Sequence, residues 1–278
     1  HSYSSAASDV YKRQEYRYPD VTYKDDISFK CGDLTFNLHH ARGETDDHTW
    51  IHIPEEKLIA PGDLFIWAVP NGGNPQKVQR YISDWADALD EMLKLECEIF
   101  LPGHGFPILG KKRIEKALET TSKFLRSIED QTLKLMNQGK SLNQVLHEVE
   151  IPNDLMELPW LTPIYDDPQF LIRMIWRRYG GWWDGEYDRL FPAPRKEEAL
   201  AWVELSNGID NIILKALENL NKGNLKVAAQ LIETAFHADN DNDQMHDARA
   251  KIYREFSLKQ SSSMAVSYTH LRAHETNS

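Results

Sequence analysis

The sequence predicts an α/β unit followed by an all-α unit. Two observations lead there. Between Val21 and Leu101, apolar and polar residues alternate at the two-residue strand period in several short runs, with one stretch of helical period among them. From Lys111 onward the apolar spacing is helical almost throughout, and proline and glycine cut it into segments.

Taken in order, Val21–Lys24, Ile27–Lys30, Leu34–Leu38 and Thr49–Ile53 read as strands. Lys57–Ala60 is a further strand that runs into Pro61-Gly62-Asp63. Pro75–Leu95 reads as a helix, with Val78, Tyr81, Ile82, Trp85, Leu89, Met92 and Leu93 at helical spacing. Glu98–Leu101 is the last strand and ends in Pro102-Gly103-His104-Gly105. Lys111–Gln138 makes a long amphipathic helix stopped by Gly139. Ser141 caps Leu142–Val149, and Pro152, Pro159 and Pro163 break the stretch after it. Asp167–Tyr179 is helical up to Gly180-Gly181; Lys196–Leu205, Asp210–Leu220, Leu225–Ala238 and Asp243–Phe256 follow. The last two resemble one tetratricopeptide-like hairpin, which by itself is packing architecture rather than an array.

The two ends match nothing around them. His1–Gln14 and Val266–Ser278 resemble translated adaptor sequence and are read as non-native extensions. His270 and His274 are therefore not counted as ligands, although their spacing places them on one helical face. The organisation is then an extension at 1–14, the α/β unit at 15–110, the helical unit at 111–265 and an extension at 266–278.

Composition narrows the function classes. The chain has 278 residues, 41% of them hydrophobic, and a formal net charge of −11. Such a chain repels phosphate backbones, and Lys111-Lys112-Arg113 and Arg177-Arg178 read as solvated helix faces, so no nucleic-acid partner is expected. Cys31 and Cys97 make neither a disulfide framework nor a cysteine-based zinc site. No apolar run is long enough to span a membrane. The compartment stays open between cytoplasmic and secreted or periplasmic.

Three loops carry the residue types of a metal site: Gly43-Glu44-Thr45-Asp46-Asp47-His48, Pro61-Gly62-Asp63 and Pro102-Gly103-His104-Gly105. Carboxylate and imidazole together suit zinc and other divalent ions. Each loop alone also reads as an ordinary turn. His48 reads equally well as a histidine bonded to a loop carbonyl, and strand alternation sends His39 and His40 to opposite faces.

The order of these loops, from Ala41-Arg-Gly-Glu-Thr-Asp-Asp-His-Thr-Trp50 through Pro61-Gly-Asp-Leu-Phe-Ile-Trp-Ala-Val-Pro-Asn71 to Leu101-Pro-Gly-His-Gly105, resembles the second half of the metallo-β-lactamase pattern, closest to the alkyl sulfatases. The resemblance continues to about Ala265, including Asp130-Gln-Thr-Leu133 and Tyr179-Gly-Gly-Trp-Trp-Asp-Gly185, where it is similar to the helical dimerisation region of that family. It implies an αββα-type half domain followed by a helical dimerisation domain, a homodimer and a small-molecule ester substrate. It also implies two divalent metal ions, zinc by family habit. Glu44 falls at a glutamate ligand, Asp63 at the carboxylate that bridges the two metals and steadies the attacking water, and His104 at a late histidine ligand. Asn71 falls at an asparagine near the sulfate.

The chain departs from that pattern twice. Gln76 stands where the sulfatases have an arginine for the sulfate, which leaves Lys77 or Arg80 to supply the charge. The family's first metal motif, His-x-His-x-Asp-His, does not occur, so a fragment with weak metal binding and a tendency to associate is expected. Trp67, Trp160, Trp182 and Trp183 read either as the wall of an alkyl channel or, preferably, as core and interface aromatics. Three readings stand: a dinuclear-metal hydrolase of sulfate esters, a hydrolase of the same fold acting on another ester or lactone, and a non-enzymatic helical dimerisation scaffold.

Overall fold

The computed structural model describes residues 18–73 and 75–274, with the backbone alone for 270–274. Six strands form one sheet in sequence order: β1 (Asp26–Cys31), β2 (Leu34–Ala41), β3 (His48–Ile53), β4 (Leu58–Ile66), β5 (Ile99–His104) and β6 (Ile108–Leu109). Neighbours are antiparallel except β4 and β5, which run parallel. A parallel pair needs a crossover, and α1 (Ile82–Leu93) lies within it.

Register separates the two faces. Trp50 and Ile59 point into an apolar core with Leu64, Phe65, Phe100 and Trp85 of α1, whose indole N–H donates to the Leu64 carbonyl at 2.7 Å. Residues paired with Ile51 and Phe29 form the other face, where Phe29 and Phe36 stack at 5.3 Å and stay partly exposed.

The helical part begins with α2 (Lys111–Asn137), α3 (Leu142–Glu148), the short α4 (Asn153–Met156) and α5 (Pro168–Gly180). Ser141 and Gln144 form a reciprocal capping box at α3. The core under the sheet crosses Gly110 without a break and runs through Ile114, Phe124 and Leu171 to Trp176. A second apolar cluster, from Ile212 to Ile252, is built by α7 (Ile209–Asn221), α8 (Leu225–Ala238) and α9 (Asp243–Leu258), after α6 (Arg195–Leu205). The first turn of α10 (Ser263–His274) reaches back to the first unit. Ser263 N–H donates to the Ile164 carbonyl at 3.0 Å and Met264 N–H to that of Tyr165 at 3.1 Å. The expected extension at 1–14 and the side chains of His270 and His274 lie outside the described residues.

Several expected elements are corrected. Val21–Lys24 is not a strand; the sheet starts at Asp26, and Val21 is exposed without a ladder partner. β4 does not stop at Ala60 but continues through Pro61-Gly62-Asp63, with irregular register on both sides of Gly62. The helix expected over Pro75–Leu95 occupies only Ile82–Leu93. Val78 is 69% exposed, and the Tyr81 N–H goes to the Gly43 carbonyl at 3.0 Å instead of closing a helical turn. β6 and α10 were not expected.

Candidate active site

Three segments of the α/β unit converge at one end of the sheet. The loop after β2 is held against α1: Arg42 pairs with Asp84 at 2.6 Å, Gly43 accepts from Tyr81 N–H, and the Tyr81 hydroxyl bonds Asp46, which raises the Tyr81 pKa. This fixes Glu44. Asp63 projects from within β4 and His104 from the end of the adjacent β5. Their side chains meet, His104 Nε2 lying 3.4 Å from Asp63 Oδ1. Asn71 follows β4 and donates from Nδ2 to Glu44 Oε1 at 2.7 Å.

Glu44, Asp63, Asn71 and His104 line one cavity of about 570 Å³. Its remaining wall is Ile66, Trp67, Ala68, Gly105, Ile164 and Tyr165. The polar donors and acceptors therefore share a chamber with an apolar surface, the composition of a site for an amphipathic small molecule. Trp67 is the one of the four tryptophans named from sequence that lines it. Trp160 packs edge-on to Trp67 at 6.2 Å and donates to Thr120, whereas Trp182 is exposed.

The other residues named from sequence lie elsewhere. Lys77 is exposed, and its carbonyl accepts from Arg177 at 3.3 Å. Arg80 is buried behind Glu44, with Nη1 2.6 Å from Glu44 Oε1 and a hydrogen bond to the Asn71 carbonyl. No lysine or arginine is among the described residues that line the cavity. His48 Nε2 bonds the Pro61 carbonyl at 2.8 Å, the ordinary role. His39 stacks on Trp50 and bonds Asp26, while His40 bonds the Asp46 carbonyl, so the pair does diverge. Sequence reasoning missed Ile164 and Tyr165, which come from a proline-flanked strap far along the chain.

One Glu, one Asp and one His fit a divalent ion by donor type. The fit is strongest at Asp63 and His104, which already face each other. Glu44 is turned to Asn71 and Arg80, and among the described residues no three His, Cys, Asp or Glu side chains are gathered tightly enough to hold an ion.

Beneath the site, burial pushes the Asp166 carboxyl up to about 7, against the opposing effects of the Gly73 and Asp167 backbone and of Arg80. Between the ordinary carboxylate range and pH 7 the folded chain thus holds a proton that the unfolded chain has lost. Stability conferred at low pH is therefore lost as pH rises from about 4 to about 7. Asp166→Asn is expected to flatten that dependence by about 2–4 kcal/mol between pH 4 and pH 8. Urea unfolding across that range checks it, and parallel wild-type and variant curves would refute it.

Comparison with known proteins agrees with this layout. Residues 141–278 match the family described as alkyl sulfatase dimerisation. The linear primary-alkylsulfatase of a Pseudomonas species is 26% identical over 239 residues, which cover 85% of this chain and 45% of that protein. The alkyl/aryl-sulfatase BDS1 of Saccharomyces cerevisiae is 28% identical over 171 residues, 60% of this chain and 26% of that protein. Over residues 141–278 the chain is of the alkyl sulfatase dimerisation type. Its fold matches the inverting sec-alkylsulfatase Pisa1 from Pseudomonas sp. with a TM-score of 0.87 at 22% identity, over 93% of this chain and 42% of that one. The chain spans less than half the length of the curated relatives it matches. Among the described residues no helix is long and apolar enough to cross a membrane.

Proposed function

We propose that the chain belongs to a metal-dependent hydrolase of sulfate esters of alkyl alcohols and works as a homodimer through its helical unit. The observation that carries the reading is the cavity itself. It brings Glu44, Asp63, Asn71 and His104 into one chamber with Ile66, Trp67, Ile164 and Tyr165. An ester with a charged head and an apolar tail matches that mixed lining.

Asp63 and His104 would hold a divalent ion, with Glu44 as a further donor to a second. When bound, such ions lower the pKa of water to about 7 and supply a nucleophile at neutral pH. Asp63 accepts and orients the attacking water. The Asn71 amide donates to oxygens on which charge develops. The apolar wall shields the tail from water, so its burial contributes to binding at about 0.8 kcal/mol per methylene.

A second reading, hydrolysis of another ester or a lactone, is favoured by one observation: no cationic side chain lines the described cavity, and a sulfate head would gain from one. The test is metal content and release of sulfate from an alkyl sulfate, measured on the product of the complete gene beside its Glu44→Ala/Asp63→Ala/His104→Ala variant. About two ions per chain and sulfate release, both lost in the variant, are the expected result. Ions without sulfate release would favour the second reading. A metal-free wild type would leave only a helical scaffold.

A further inference from the structure

The strap that supplies Ile164 and Tyr165 to the cavity is fastened from both sides. Leu161 and Asp166 are fully buried, whereas Ile164 and Tyr165 between them are 53% and 39% exposed and line the cavity. Towards the α/β unit, Val69 N–H donates to the Thr162 carbonyl at 3.1 Å and Gly73 N–H to Asp166 Oδ2 at 3.2 Å. Towards the end of the helical unit, the Ile164 and Tyr165 carbonyls accept from Ser263 and Met264 N–H, and the Tyr165 carbonyl accepts again from Ser262 Oγ at 2.7 Å.

Ser262 does two things with one hydroxyl. It is 1% exposed, so its Oγ depends on protein partners. Besides donating to Tyr165, Oγ accepts from Ala265 N–H at 3.1 Å, the bond of an N-cap, and so closes the first turn of α10. The Ser263 and Met264 N–H groups, which a helix start leaves without intrahelical partners, go to the strap carbonyls. All of these residues precede Val266, where the extension read from sequence begins. The strap and the first turn of α10 are thus one hydrogen-bonded piece. It presents to the cavity two apolar side chains whose backbone cannot recede without breaking those bonds.

We propose that Ile164 and Tyr165 select the occupant of the cavity by the length of its apolar part, and that Ser262 is the positioning residue that holds them there. The inference rests on the reading that the cavity takes an ester with an apolar tail. A fixed apolar wall discriminates by roughly fourfold per buried methylene, whereas a wall free to recede gains less from each one.

The test is kcat/KM of the product of the complete gene for the sulfates and the acetates of butyl to decyl alcohol, with thermal melts of each variant to verify folding. In the wild type, kcat/KM is expected to climb roughly fourfold per methylene. Ile164→Ala and Tyr165→Ala should each cut the decyl-to-butyl ratio about tenfold. Ser262→Ala should cut the same ratio about threefold, through KM rather than kcat, and Ser262→Thr, which keeps the hydroxyl, should restore it. In an Ile164→Ala/Tyr165→Ala background, Ser262→Ala should move the ratio little further, because the residues it acts through are gone. Ile164 and Tyr165 are partly exposed, so truncating them leaves the core intact and keeps the proposal testable if Ser262→Ala fails to fold. An unchanged ratio in both wall variants would overturn the proposal, as would losses equal at every tail length. An equal effect of Ser262→Ala with and without the wall side chains would overturn the role of Ser262. Cleavage of the acetates alone, with the tail dependence above, would sink the sulfate reading and support the proposal. Sulfate cleavage indifferent to tail length in the wild type would sink the proposal alone, and cleavage of neither series would sink both.

Discussion

Gly73→Ala should destabilise the chain by about 3 kcal/mol or more, the largest single-methyl effect expected in the molecule. A Cβ on Gly73 would lie 2.1 Å from both the carbonyl carbon and oxygen of Phe170 and 2.6 Å from the Leu171 nitrogen. These are backbone atoms in the first turn of α5, so no side-chain rotation relieves the overlap. The helix would have to move outward, and it carries Leu171, Ile172 and Ile175, all at most 1% exposed. The same movement would part the Gly73 N–H from Asp166 Oδ2, now 3.2 Å away. Asn71, two residues back, would lose its seat beside Glu44. Gly180→Ala is the control, since there a Cβ meets the flexible end of Met136 at 3.0 Å and the Trp176 indole at an ordinary 3.4–3.5 Å. Urea unfolding of both variants decides the matter: equal losses would show that the contact at Gly73 is not the tight one the structure implies.

That glycine also explains what could and could not be read from sequence. The alternating runs at Ile27, Leu34 and Thr49 showed the sheet because successive side chains of a strand point to opposite faces, although burial itself does not alternate along them, β1 being mostly exposed and β2 mostly half-buried. The helical segments after Lys111 were legible for the matching reason at a period of 3.6. Pro75–Tyr81 was misread because its apolar spacing imitates a helix while its polar groups bond elsewhere. Gln79 reaches the Met174 carbonyl, Tyr81 N–H reaches Gly43, and Arg80 reaches Glu44. Spacing along a chain carries no record of such distant partners. Glu44, Asp63 and His104 could be named because turn residues or strand ends frame them, and Asn71 through the resemblance to the alkyl sulfatases; the fold brings all four to one cavity. Lys77 was named with them, but it is exposed and is not among the residues that line that cavity. Ile164 and Tyr165 were invisible as site residues: ordinary apolar residues become a wall only through the strap that places them there.

Gly103→Ala should do at the site what Gly73→Ala does to the core. A Cβ there would lie 2.2 Å from Asp63 Oδ1 and within 2.7–2.8 Å of the Gly62 carbonyl carbon and oxygen. β4 and β5 are parallel neighbours with Gly62 opposite Pro102, so the added methyl enters between the strands that carry Asp63 and His104. Two responses are open. Asp63 can rotate away from His104, or the strands can separate at a place where the register is already irregular. Either displaces the pair by about 1 Å, a misplacement that costs a catalytic site on the order of 10²-fold in rate. In the product of the complete gene, alkyl sulfate turnover should therefore fall about a hundredfold. The fold should lose less than with Gly73→Ala, since Asp63 is exposed enough to move and α5 stays seated. Turnover at the wild-type rate in a folded Gly103→Ala protein would mean that Asp63 does not work beside His104, and the role given to that pair would have to be withdrawn.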